Sequence, residues 1–242
     1  RERVVLFGGA DILTGGVPAD TWEWDGNEWH RVTPAGGNNS PPARIFHQLA
    51  YDSARGRIVL FGGNDLTQAF DDTWEWDGET WNQLNPPSQP GARANHKMAY
   101  DAERGTILLF GGEPSISTSL ADTWEWNGVS WRRVAPSRSP PGRFGHDIAF
   151  DPQRGVSVLV GGLNLSGYLD NVWEWDGTTW TESAGQNPKP RLGAHGDLAW
   201  DSNQQQLLFF PGNWEGPSTG SQSTELWAWD GQSWSQIQSA GA

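Results

Sequence analysis

Cysteine is missing altogether from the 242 residues, which excludes disulfides, thiolate metal sites and cysteine nucleophiles. Basic residues are scarce: 16 Lys and Arg stand against 29 Asp and Glu, a net charge of -13. A surface of that sign repels phosphate backbones and anionic membranes, so no nucleic-acid partner is expected. No apolar run approaches the roughly 18 residues that cross a bilayer, so no membrane insertion is expected either. Also lacking are G-x-S-x-G, H-E-x-x-H, a phosphate-binding loop and an EF-hand pattern. No catalytic residue, metal or cofactor is therefore assigned. No segment keeps a helical period for long.

Tryptophan, in contrast, is abundant, with 17 copies. Its spacing reveals an internal repeat. The segment Trp22 to Trp29 recurs as Trp74 to Trp81, Trp124 to Trp131, Trp173 to Trp180 and Trp227 to Trp234. A second apolar segment recurs in step, ending at Gly9, Gly63, Gly112, Gly162 and, in degenerate form (LLFFPG), at Gly212. A third, of the type HQLAYD, ends at Asp52, Asp101, Asp151 and Asp201. Each unit thus holds short apolar runs separated by turn signals, here called a (HxxAYD), b (IVLFGG), c (DTWEWDG) and d (WxxV).

Run c alternates, with Trp22 and Trp24 facing one way and Thr21 and Glu23 the other, the period of a half-buried strand. Asp25-Gly26 and its counterparts suit a tight c–d turn. Antiparallel strands repeated about every 50 residues read as propeller blades. The double glycine after an apolar strand, the spaced aromatics and the P-x-R-x-x-H element (Arg44/His47, Arg93/His96, Arg143/His146) together resemble the kelch repeat. The resemblance covers nearly the whole chain and is strongest to bacterial members. It implies an all-β, kelch-type β-propeller of five four-stranded blades in a single domain over 1–242. The repeats, taken as b-c-d-a, run at about 1–52, 53–101, 102–151, 152–201 and 202–242. The tryptophans then pack between neighbouring blades.

Arg1-Glu2-Arg3-Val4 aligns with Arg55-Gly56-Arg57-Ile58, so five b, c and d runs are matched by only four a runs. The first blade is expected to lack its innermost strand. Three explanations stand side by side: a longer parent chain, a ring closed with a defective blade, or a strand supplied by a neighbouring molecule. An unpaired strand edge invites association.

Short a–b and c–d turns mark one face, and variable b–c and d–a loops the other. Variable loops on a rigid scaffold are the expected binding surface. Candidate ligand-binding residues there are Asp65, Glu113, Tyr168 and Trp214. Carboxylates mixed with aromatics suit a protein or glycan ligand. The Arg-x-x-His elements supply further candidates: Arg44, His47, Arg93, His96, Arg143, His146, Arg191 and His195. Their recurrence favours hydrogen-bonded scaffolding over an anion site. In the fourth element Arg191 and His195 are one residue further apart, which predicts a local bulge that redirects His195.

The resemblance also brings enzymes into view. A radical-copper oxidase needs a cysteine this chain lacks, whereas mutarotase-like carbohydrate chemistry at the channel mouth needs only a few polar groups. A binding scaffold is the first expectation, a carbohydrate-active enzyme the alternative, and extracellular or periplasmic bacterial residence the expected setting.

Overall fold

A computed structural model describes residues 3–11, 13–32, 39–115, 118–183, 190–212 and 225–237. These form five small antiparallel sheets arranged as the blades of a β-propeller. Blade 1 has three strands, β1 (Val4–Phe7), β2 (Thr21–Trp24) and β3 (Trp29–Val32). Blade 2 has four, β4 (Gln48–Asp52), β5 (Arg57–Phe61), β6 (Thr73–Trp76) and β7 (Trp81–Leu84). Blade 3 repeats this with β8 (Lys97–Asp101), β9 (Thr106–Phe110), β10 (Thr123–Trp126) and β11 (Trp131–Val134). Blade 4 consists of β12 (Asp147–Asp151), β13 (Val156–Val160), β16 (Val172–Trp175) and β17 (Trp180–Ser183). Its b–c loop adds a small hairpin, β14 (Leu163–Asn164) with β15 (Gly167–Tyr168). Blade 5 closes the series with β18 (Asp197–Asp201), β19 (Gln206–Phe210), β20 (Leu226–Trp229) and β21 (Trp234–Ile237). The strands β4, β8, β12 and β18 lie against one another and are innermost.

The tryptophans do sit between blades. Trp131 is fully buried against Phe61 of the preceding blade, with ring centroids 5.2 Å apart, and its indole N–H donates to Thr73 at 3.0 Å. Trp81 repeats this on Phe7 and Thr21, and Trp180 on Phe110 and Thr123. An edge-to-face pair of this kind adds roughly 0.5–1.5 kcal/mol to the apolar burial itself. The c–d connection is a four-residue turn rather than a two-residue one. Asp77 caps it by accepting from the Glu79 and Thr80 amides, while Gly78 takes a φ of 95°.

On the turn face, an arginine from the a–b turns of blades 2, 3 and 4 crosses to the next blade. Arg55 donates to the carbonyls of Gly105 and Asn127, and Arg104 to those of Gly155 and Asp176. Arg154 follows suit toward Gly231. Their own strand-end aspartates, Asp52, Asp101 and Asp151, hold the guanidinium groups in place. Gln204 occupies this place in blade 5.

Candidate functional site

The double glycines form a socket for the arginine loops. At Gly62 an added Cβ would lie 2.6 Å from the Arg93 carbonyl oxygen, and at Gly63 2.7 Å from that of Ile45. Both take positive φ, so no other residue fits without displacing a neighbouring backbone. Into this socket Arg44 places a buried guanidinium that donates to the Gly62 carbonyl at 2.9 Å and to both oxygens of Asp72 at 2.6 and 2.7 Å. Phe70 covers its face at 4.3 Å. Arg93 does the same with Gly111 and Asp122. Asp72 and Asp122 also accept the indole N–H of Trp74 and Trp124. Arg143 departs from the pattern: its partner is Asn171, and its Nη2 has no hydrogen bond among the described residues. Without a carboxylate, burial holds this guanidinium down to about 9.

The histidines are equally internal. His47, His96 and His146 pack edge-on against Phe7, Phe61 and Phe110 of the preceding blade. Burial, helped by Arg44, pushes His47 down to about 4, and burial beside Arg93 and Arg143 holds His96 and His146 well below the ordinary imidazole range. The sign of the consequence is fixed. Above pH 6.5 the imidazoles are neutral in both folded and unfolded chains. As pH falls through that value the unfolded chain binds protons the folded chain refuses, and stability is lost, for His47 until about pH 4. Three such groups give a slope of about 4 kcal/mol per pH unit near pH 5.5. Urea unfolding midpoints between pH 7 and 5 are expected to fall accordingly. His96→Phe is expected to remove about a third of the slope, and a flat profile would contradict the burial of these rings.

The fourth element holds a correction. No bulge redirects His195: β18 pairs with β19 without interruption from Asp197↔Phe210 to Asp201↔Gln206. Instead Gly193 and Gly196 take the backbone positions of Arg and His, since Gly193 accepts from Gly162 as Arg93 does from Gly63. Arg191 is left exposed, and His195 moves one place along, to the residue with φ 59°.

That place defines a ring. Phe46, Asn95, Gly145 and His195 all have φ between 54° and 61°. Asn95 N–H donates to the Phe46 carbonyl at 3.0 Å, Gly145 to Asn95 at 3.2 Å and His195 to Gly145 at 2.7 Å. One hydrogen-bonded series of backbones thus runs around the axis on the loop face from blade 2 to blade 5, with Phe, Asn, Gly and His at its four places. Left-handed Phe and His are uncommon and concentrate at functional sites. Phe46 is 49% exposed, and His195 is also exposed and lies against Gly145. Burial and the nearby Lys97 lower the His195 pKa. Beneath the ring Lys97 sits 3.3 Å from Asp147, whose carboxyl accepts the Leu198 and Ile148 amides and whose pKa is raised by burial.

Of the remaining candidates, Glu113 adjoins this ring. Glu113 accepts from the Asn95 side chain at 2.7 Å, and its backbone pairs with Ala94. Asp65 caps its own loop by accepting from Thr67 and Gln68, which lowers its pKa to about 2. Tyr168 stands on the β14–β15 hairpin, 41% exposed. Trp214 lies outside the described residues. Phe46, Asn95, Lys97 and Asp147 were not singled out from the sequence. Their signal is there, as positions that vary among otherwise repeated neighbours. Among the described residues no group of three metal-ligating side chains occurs. No protein-family model matches the chain, and no curated protein does.

Proposed function

We propose that this chain is a kelch-type propeller that binds a protein or glycan ligand on its loop face, centred on Phe46, Asn95 and His195. The kelch reading is supported by the way the double glycines of blades 1, 2 and 3 each receive an Arg-x-x-His loop from the next blade. The binding reading rests on one observation. The arginines and histidines of the first three elements are consumed inside the scaffold, while the ring differs from blade to blade and exposes Phe46 and His195. A half-exposed Phe46 next to Asn95, with Glu113 on that Asn and His195 further along the same series of bonds, offers one apolar platform with directional polar contacts, as sugars and peptide chains require. Glycan arrays and a displayed-peptide library supply the ligand. Phe46→Ala is then expected to weaken it by about tenfold or more with an unchanged unfolding midpoint. Unchanged affinity in both Phe46→Ala and His195→Ala would remove the ring from the site. A carbohydrate-active enzyme is the second reading, favoured by the Lys97–Asp147 pair under His195. Turnover of a sugar substrate, lost in His195→Ala, would select it.

A further inference from the structure

Asn171 stands two residues before the first tryptophan of its c strand, at a place held by Asp20, Asp72, Asp122 and Glu225 in the other blades. In blades 2 and 3 one oxygen of that carboxylate gathers two buried donors. Asp72 Oδ2 accepts from Arg44 Nη2 and from the Trp74 indole N–H, both at 2.7 Å. Asp122 Oδ2 accepts from Arg93 Nη2 at 2.9 Å and from the Trp124 indole N–H at 2.7 Å. In blade 5 the Trp227 indole N–H donates to Glu225 at 2.9 Å.

Blade 4 keeps the donors and loses the acceptor. Arg143 Nη1 still donates to the Gly161 carbonyl at 2.8 Å and to Asn171 Oδ1 at 2.9 Å, as Arg44 and Arg93 do with Gly62 and Gly111 and their aspartates. Its Nη2 and the Trp173 indole N–H are buried with no hydrogen-bond partner among the described residues. Asn171 does not serve them. Its one oxygen is spent on Nη1, and its amide nitrogen donates to Glu182 at 2.9 Å. Arg143 is 0% exposed and Trp173 5%. An unpaired charged donor at such depth is costly, and the acceptor that satisfies it best carries negative charge. Glu182 does not replace the lost carboxylate, since burial holds Arg143 down to about 9 even with Glu182 nearby. Arg138 lies over the Trp173 ring at 5.6 Å and adds a second positive charge.

We propose that Arg143 Nη2 and Trp173 Nε1 bind a small monovalent anion of the halide class, chloride above all, where blades 2 and 3 place a carboxylate oxygen. Both groups are donors only, so their ligand is an acceptor. Their burial limits it to a few atoms at most. Water is the neutral rival. It accepts both bonds, but it brings no counter-charge for the guanidinium and must find acceptors for two protons of its own. The site uses no residue of the ligand ring, so either proposal stands or falls without the other.

The probe is chloride, titrated at neutral pH and constant ionic strength against methanesulfonate, which is too large for the enclosed place. Indole N–H resonances are followed by NMR, with that of Trp173 assigned from its loss in Trp173→Phe. A saturable shift of the Trp173 resonance is expected, with those of Trp74 and Trp124 unmoved. The urea unfolding midpoint is expected to rise with the same chloride dependence, because the anion binds only the folded chain. Asn171→Asp supplies the missing oxygen from within, as blades 2 and 3 do, and is expected to abolish both responses. Trp173→Phe removes one donor and is expected to weaken chloride at least about tenfold, read from the chloride NMR linewidth. In crystals grown with bromide, anomalous scattering is expected to show a peak between Nη2 and Nε1. A midpoint that follows ionic strength alone overturns the proposal, as does an equal chloride response in Asn171→Asp. A water at that place in the bromide crystals overturns it too.

Discussion

Asn171→Asp is expected to stabilise the protein by about 1–3 kcal/mol, although it adds negative charge to a chain that already carries -13. Two buried donors, Arg143 Nη2 and the Trp173 indole N–H, have no partner among the described residues. In blades 2 and 3 both of these donors meet one carboxylate, Asp72 or Asp122. Asn171 offers a single oxygen, which Arg143 Nη1 occupies at 2.9 Å, and its amide turns outward to Glu182. A carboxylate restores both missing bonds and loses only the exposed contact with Glu182. It also raises the depressed Arg143 pKa. The converse substitution, Asp122→Asn, is expected to cost about 3 kcal/mol, because it strips a buried guanidinium of its counter-charge. Urea unfolding at constant m-value checks the pair. Opposite signs confirm the carboxylate's role, and a destabilised Asn171→Asp would show that Glu182 governs this site.

Trp131→Ala is expected to cost about 3–5 kcal/mol, while Trp29→Ala, at the same repeat position, costs roughly 1 kcal/mol. The motif is the same in both, but the neighbours differ. Trp131 is 1% exposed, edge-on to Phe61 and bonded to Thr73. Trp29 is 44% exposed and touches the ring of its own strand partner Trp24. The same asymmetry marks the far end of the series, where Phe210 is 44% exposed although its counterparts Phe61 and Phe110 are fully buried. Equal losses in the two variants would contradict the assignment of stability to contacts between blades rather than within them.

The architecture was legible because the determinants of a blade are local and repeated. Alternating tryptophans, Asp-Gly turns and double glycines specify strands and turns without reference to distant residues, and the three-stranded first sheet follows from the count of HxxAYD runs. The site was less legible, for a physical reason. Repetition draws attention to Arg93 and His96, yet a residue that recurs in every blade serves what every blade needs. The structure accordingly places both in the interior. The proposed binding site rests on positions where the backbone repeats and the side chain does not, such as Phe46, Asn95 and His195. Their common feature is a positive φ and a backbone hydrogen bond to the same place in a neighbouring blade, which no spacing rule exposes. His195 shows the limit most plainly. Its extra residue of spacing reads as a bulge, whereas two glycines had taken over the Arg and His backbone positions.

Amide exchange, compared with and without a ligand captured on an array, tests the central claim most directly. Slowing is predicted at residues 46, 95, 145 and 195 and in the loops carrying Asn64 and Glu113, with the turn-face residues Asp52 to Gly56 and Asp101 to Gly105 unaffected. Slowing confined to that turn face, with the ring unchanged, would contradict it.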